Sequence, residues 1–440
     1  MGISNIIFIL IFAAAVLLFA KHVKFIVRNI KLGKDIDRSD RKDERLKLMI
    51  KVALGQSKMV KRPIAGILHI IVYVGFVIIN LEVLEIIIDG IFGTHRVFSF
   101  LGPVYNGLIG SFEVLAILVA LACLIFLIRR NILKIPRFHK PEMKGWPYTD
   151  ANLILIFEIL LMSAFLLMDA ADYNLQQRGV DHYVKAGAYP VSVFLAPLLS
   201  GMSDSALIMF ERGMWWFHIV GILGFLNYLP YSKHFHIILA FPNVYYSKLD
   251  PKGKLDNLES VKKEVELMMD PNADPFAAPA EPQGEPERFG AKDVFDLNWV
   301  QLMNAYSCTE CGRCTSACPA NITGKKLSPR KIMMDTRDRL EEVGKNIDSN
   351  GGEFKDDGKS LLRDYISEEE VLACTTCNAC TEECPVNIDP VSIIIDLRRY
   401  LIMEESKAPQ EWTMMLTNIE NNGAPWQFSQ ADRLNWKNEA

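Results

Sequence analysis

Cys308-Thr-Glu-Cys311-Gly-Arg-Cys314-Thr-Ser-Ala-Cys318-Pro319 and Cys374-Thr-Thr-Cys377-Asn-Ala-Cys380-Thr-Glu-Glu-Cys384-Pro385 repeat one spacing, C-x₂-C-x₂-C-x₃-C-P. That is the bacterial spacing for a [4Fe–4S] cubane. Three thiolates two residues apart let one tight loop wrap a cluster, and the proline turns the chain away after the fourth. The fourth cysteine of such a run serves the other cluster. The expected ligand sets are therefore Cys308, Cys311, Cys314 and Cys384 for one cluster, and Cys374, Cys377, Cys380 and Cys318 for the second. Paired zinc sites of the C-x₂-C…C-x₂-C kind lack the third cysteine and the C-x₃-C-P ending, and a disulfide framework fits no better.

Outside the motifs, composition points to a membrane. The 440 residues allow two or three domains, and half of them are hydrophobic, high for a soluble chain with 23% charged residues. A net charge of −4 gives no footprint for nucleic acid. Eight of the nine cysteines lie in the two motifs, a usage that suits a reducing compartment because thiolates awaiting iron are oxidised elsewhere. The ninth, Cys123, lies in an apolar run and reads as packing. Five runs are long enough to span: Ile3–Ala20, Pro63–Ile88, Leu108–Ile128, Asn152–Met168 and Met214–Pro230. Ile3–Ala20 has no basic region ahead of it and no small-residue cleavage site, so it reads as an anchor. Val191–Ser200 is apolar but short, an interfacial segment or part of an outer loop.

Lysine and arginine set the orientation. Lys21–Arg62 holds 14 of them and Arg129–Trp146 holds 6, against 1 in Asp89–Gly107 and 3 in Ala170–Arg212. The first two loops are expected in the cytoplasm and the N-terminus outside. Everything after about Tyr231 is then cytoplasmic, the compartment the cysteines also require.

Histidines mark the depth of a second cofactor. His218 and His236 are 18 residues apart, about 27 Å along a helix, so one lies near each membrane face. His69, seven residues past Arg62, matches His236 in depth. Two facing imidazoles are an axial pair for a b-type haem, and a histidine inside a bundle is costly without a partner. Where an outer partner for His218 is needed, the second span has Ile79 and Asn80, leaving His95 or His182 to fold in from outer loops. His22 and His234 are further histidines on the inner side. Glu82, Glu85, Glu113 and Glu158 are intramembrane acids that could carry protons toward a quinone or, for Glu82 and Glu85, reach the outer interface.

The stretch Trp216-Phe-His218-Ile…Leu229-Pro230-Tyr-Ser-Lys-His-Phe-His236 resembles the last haem-bearing helix of the gamma subunit of respiratory nitrate reductase. Ala53-Leu-Gly-Gln56-Ser-Lys58…Gly66-Ile-Leu-His69…Gly75-Phe76 is similar to the second helix of membrane iron–sulfur proteins of the heterodisulfide reductase type, and the resemblance covers nearly the whole chain. It implies that His69 and His236 ligate the haem nearer the cytoplasm. It also implies a second haem on His218 with a second-helix histidine, a position at which this sequence departs from the pattern.

The expected fold is an all-α membrane protein: a five-helix, cytochrome b-like bundle over residues 1–247, a linker over 248–293, an α-helical dicluster ferredoxin domain over 294–404 and a tail over 405–440. The linker contains Asn272-Ala-Asp-Pro-Phe-Ala-Ala-Pro-Ala-Glu-Pro-Gln-Gly-Glu-Pro286, too proline-rich for a core, which leaves the cluster domain unfixed beneath the membrane. Ser328–Val343 and Pro390–Glu405 read as helices, Ser367–Glu370 as a capping box and Gly351–Asp357 as an exposed loop. The tail carries Trp412, Trp426 and Trp436. It resembles the connector that joins such a ferredoxin domain to a cysteine-rich domain of the heterodisulfide reductase B type, and so reads as a docking segment for a separate subunit of that kind. No dinucleotide fingerprint, flavin motif or catalytic triad appears, which places substrate oxidation on a partner, a cysteine-rich subunit or another cytoplasmic dehydrogenase. The functional expectation is an oxidoreductase subunit that moves electrons between that partner, two cubanes, haem b and menaquinone or another quinone. A haem-free route from cluster to quinone and a membrane-anchored redox sensor are the alternatives.

Overall fold

A computed structural model describes residues 2–271 and 288–438. Among them there is no β-strand, only isolated bridges. Five helices are long and apolar enough to cross a membrane: α1 (Ile3–Ile30), α2 (Pro63–Phe92), α3 (Pro103–Asn131), α4 (Trp146–Arg178) and α5 (Asp204–Tyr228). Each is longer than the apolar segment that predicted it, because its polar ends continue the same hydrogen-bond ladder, although α5 gains its length at the start and stops at Tyr228, ahead of Pro230. Prolines open α2, α3 and α4, and left-handed Gly93 and Gly179 close α2 and α4. Ser203 caps α5 through its side chain. The segment expected at the interface is a short helix, Ser192–Leu199, held to α4 by Ser192 Oγ donating to the Leu166 carbonyl and Asn174 Nδ2 to that of Ala196.

α4 lies at the centre of the bundle, flanked by α3 and α5, while α1 packs at the edge against α2 and α5. Ile109, Phe112, Phe165, Trp215 and Ile219 fill the middle. Gly75 lets α2 meet α3 closely, since a Cβ there would lie 2.4 Å from a Val119 methyl. Leu10, Leu17, Val77 and Leu121 point outward, the faces a lipid phase would cover.

After α5 the chain turns at Pro230 and forms α6 (His236–Tyr245). The cysteine domain is built on α7 (Trp299–Tyr306), α8 (Pro329–Ser349) and α9 (Pro390–Arg399). Asn298 and Asp389 cap α7 and α9, and the Ser367–Glu370 capping box forms as expected. Buried Arg339 ties Asp293 to Asp357 and to the Lys359 carbonyl. The proline-rich run over 272–286 lies outside the described residues.

The expectation that the cluster domain is unfixed is not met. One continuous core includes Ile26, Leu229 and Val244 from the bundle side and Leu302, Leu340 and Leu397 from the cysteine domain. Polar contacts rim this joint: Asn29 Nδ2 donates to Tyr306 at 2.9 Å, Arg62 pairs with Glu383 at 3.0 Å, and Arg330 reaches the Arg137 carbonyl and Glu142, both at 2.7 Å. Gly344 permits the closest approach, because a Cβ would strike Asn29 at 2.5 Å. A buried apolar seam of this kind resists domain motion far better than surface ion pairs alone.

The tail forms α10 (Gln410–Asn422) and a short 3₁₀ helix, Gln430–Lys437. Trp412 meets the Arg398 guanidinium at 5.9 Å, whereas Trp426 and Trp436 are exposed.

Candidate functional site

The two cysteine loops share one backbone. Glu310 and Gly312 in the first, and Thr376 and Asn378 in the second, all take positive φ (53°, 70°, 55° and 58°). Short helices follow, Arg313–Ala317 and Ala379–Glu383, each ending at its fourth cysteine. Alternation of left- and right-handed residues curls successive N–H groups into a concavity that favours anionic groups. The Thr376 N–H donates to Cys374 Sγ at 3.4 Å and the Ile388 N–H to Cys384 Sγ at 3.3 Å. Glycine is required at 312, where a Cβ would lie 2.5 Å from Arg330 Nη1.

The short helices pack on each other, which brings the two sets of cysteines together. Cys308, Cys311, Cys314 and Cys384 line one small cavity, together with Cys380. Cys318 lies instead close enough to act electrostatically on the Cys374 thiol, as does Cys377. All nine cysteines are free thiols. Burial pushes Cys308 and Cys380 up to about 12 and Cys384 up to about 11, and raises Cys374 and Cys314. Such thiols lose their protons only to a bound metal. Among the described residues no three His, Cys, Asp or Glu side chains converge on one metal-ion position. A cubane spreads its four thiolates over four irons, so the donor set suits a cluster better than a single ion.

The first loop faces the bundle. Glu310, 3% exposed, pairs with Lys233 and, at 2.9 Å, with Arg337. Burial alone would raise its carboxyl, but Arg337 and Lys233 outweigh that and hold it below the usual range. The Lys233 carbonyl in turn accepts from His236 Nδ1 at 3.0 Å. Arg313 donates to the Lys58 carbonyl, and Lys58 Nζ to the Cys384 carbonyl at 3.2 Å. Burial lowers Lys58 to about 8. Sequence reading missed Lys233, Glu310, Lys58 and Arg313, because no local spacing announces a contact made across the joint.

His69 and His236 are brought together, with ring centres 6.5 Å apart. Metal–imidazole bonds of about 2 Å put two opposed ring centres roughly 6 Å apart, so the pair fits one iron between them. The bond from His236 Nδ1 fixes that ring and leaves Nε2 free, the arrangement of a metal-ligating histidine. His234 is a close neighbour at 5.5 Å, and burial lowers both His236 and His234, the latter to about 3, so both rings are neutral at pH 7. A cavity of about 200 Å³ beside His234 and His236 is lined by Arg129, Arg130, Arg137 and Lys233, cations suited to haem carboxylates, and by Thr309 of the first loop.

His218 is fully buried, its Nδ1 at 3.0 Å from the Leu161 carbonyl and its Nε2 without a partner. Its ring neighbour is Phe165. The histidines expected to fold toward it do not: His95 and His182 meet each other at 5.5 Å. His22 sits by Tyr231 and His139 by the Arg130 carbonyl. The donor set therefore offers one imidazole at this depth where a bis-histidine haem needs two. Glu82 and Glu85 are buried, Glu82 against Arg96 and Glu85 accepting from the Phe98 N–H. Glu113 accepts from the Val191 and Ser192 N–H groups.

Residues 307–388 match the family model of the 4Fe-4S dicluster domain. Along 99% of its length the chain is 31% identical to a probable iron-sulfur-binding oxidoreductase, FadF, of Bacillus subtilis, and covers 61% of that protein. It is 27% identical to the EtfAB:quinone oxidoreductase of Syntrophomonas wolfei, over 98% of this chain and 59% of the relative. One third of it is 31% identical to a component of the dihydromethanophenazine:CoB–CoM heterodisulfide reductase of Methanosarcina mazei, across 35% of that component. The chain thus spans about 60% of the first two relatives. No solved structure matches it.

Proposed function

We propose that this chain is the membrane electron-transfer part of a quinone-linked oxidoreductase. In this reading residues 1–247 form the haem and quinone domain, 248–293 a linker, 294–404 the dicluster domain and 405–440 a docking tail. Cys308, Cys311, Cys314 and Cys384 hold one [4Fe–4S] cluster, and Cys374, Cys377, Cys380 and Cys318 the other. His69 and His236 hold a haem b. Bound there, clusters and haem supply one-electron redox chemistry, while the protein sets order and potential. The donor is a partner of the cysteine-rich heterodisulfide reductase type or another dehydrogenase, and the acceptor or donor in the membrane is menaquinone or a similar quinone. The cluster domain lies on the cytoplasmic side of the inner membrane and the N-terminus outside.

The observation that carries the reading is the continuity from the first cysteine loop to the histidine pair. Glu310, between Cys308 and Cys311, pairs with Lys233, whose own carbonyl orients His236. The chain's residues thus hold one redox site against the next. The test is spectroscopic: reduced-minus-oxidised absorption of the purified protein for a b-type haem, and paramagnetic resonance of the reduced protein for two interacting cubanes. Absence of the haem band returns the haem-free route to quinone, and absence of both signals rejects the function.

A further inference from the structure

At the end of the bundle far from the cysteine loops, α1, α2, α4 and α5 surround a cavity of about 270 Å³. One wall is aromatic: Phe8 packs on Trp215 at 5.6 Å between ring centres, and Trp215 on Trp216 at 5.2 Å. The opposite wall is a buried charge cluster around Arg96, which bonds Asp169 at 2.6 Å, Asp172 at 2.7 Å and Glu82 at 3.3 Å. His95 lies 3.4 Å from Asp172. The cluster does not satisfy itself. Glu82 Oε2 and His95 Nδ1 are buried without a hydrogen-bond partner, and both residues line the cavity. Glu82 is 2% exposed, and a buried carboxyl oxygen left without a partner is unfavourable, so a ligand that meets it is favoured.

We infer that this cavity is the binding site for the quinone headgroup, an inference that rests on the quinone-linked reading above. The chemistry fits on three counts. A flat ring stacks against Trp215 and Phe8. Its two oxygens, as carbonyls or as hydroxyls, need hydrogen-bonding partners that exchange protons, which Glu82 and His95 provide. α1, which walls the cavity at Ser4 and Phe8, is the least buried of the five helices, so a lipid-dissolved ligand meets the site from the bilayer without crossing a packed core. A water-soluble anion is disfavoured beside the surplus of carboxyls. His218, three residues beyond Trp215 on α5, stands about 4.5 Å deeper along the helix axis, between this cavity and the His69–His236 pair.

The experiment uses the full chain in detergent and heptyl-hydroxyquinoline N-oxide, a fluorescent quinone analogue whose emission is quenched on binding. Two variants are titrated beside the unaltered protein, each first checked for cluster signals. Glu82→Gln changes the polar wall, and Ser4→Phe fills the cavity from α1 while leaving that wall intact. Binding by the unaltered protein, weakened tenfold or more in Ser4→Phe with its clusters retained, supports the site, and a matching loss in Glu82→Gln assigns the polar contact to Glu82. Tight binding by the unaltered protein and by Ser4→Phe alike places the quinone elsewhere and overturns this inference but not the quinone-linked function. No binding by the unaltered protein overturns both.

Discussion

Position for position, the loop from Cys308 and the loop from Cys374 repeat the same left-handed turns, the same short helix and the same closing proline, yet they are covered to different degrees. Glu310 and Arg313 of the first loop are buried against the bundle. Their counterparts Thr376 and Ala379 meet no such joint, and Cys377 is exposed where Cys311 is partly covered. The backbone answers to the cluster, and the environment answers to what lies next in line. A covered site is suited to pass electrons inward, and an exposed one to receive them from a soluble partner.

The largest effect tests whether the two loops are one unit. Cys384→Ser should abolish or convert the cluster held by Cys308, Cys311 and Cys314, although Cys384 lies in the other loop. A paramagnetic resonance change confined to the cluster of Cys374, Cys377 and Cys380 would show instead that each loop closes on itself. Next come His69→Ala and His236→Ala, each expected to remove a b-type haem band while both cubane signals persist. Full haem content in both variants would break the link between the first loop and the histidine pair.

Exposure sharpens the contrast further. Treatment with ferricyanide and a chelator should bleach the cluster that includes Cys377 about tenfold faster than the one behind Glu310, since loss of iron follows access to the thiolates. Equal rates would mean that the difference in burial has no chemical consequence.

How much of this was legible in the chain follows the range of each interaction. Cysteine spacing is local, so the paired loops could be expected from the motif itself, and the apolar runs announced all five spanning helices. Depth along a helix was legible for His69 and His236 because a fixed rise converts residue number into distance. The same arithmetic could not find a partner for His218, since His95 and His182 lie in loops whose paths no periodicity fixes, and they meet each other instead. Arg96 looked like an isolated cation in an outer loop, and only the tertiary fold surrounds it with Glu82, Asp169 and Asp172. The seam from Ile26 to Leu340 was invisible for the same reason, and a proline-rich stretch in the sequence suggested looseness where Val244 ahead of the linker and Ala291 and Val294 after it share one core.

The smallest effect concerns Lys233, whose two ends join the first cysteine loop to the histidine pair. Its ammonium, 9% exposed, pairs with Glu310 in the first loop, and its carbonyl fixes the His236 ring. Lys233→Met keeps the carbonyl and the stem but removes one positive charge beside the first cluster. Reduction adds an electron there, so loss of that charge makes reduction harder and the midpoint potential should fall. Loss of one unit charge near the cluster, partly screened by the protein, is worth about 1 kcal/mol, which corresponds to a shift of roughly 40 mV at about 59 mV per tenfold change for one electron. The cluster of Cys374 should move by much less, because its loop has no counterpart to Glu310. Redox titration of both clusters in one sample measures the two shifts together. A fall shared equally would mean that Lys233 acts on overall charge and not on the first loop, and the asymmetry between the loops would then have to rest on exposure alone.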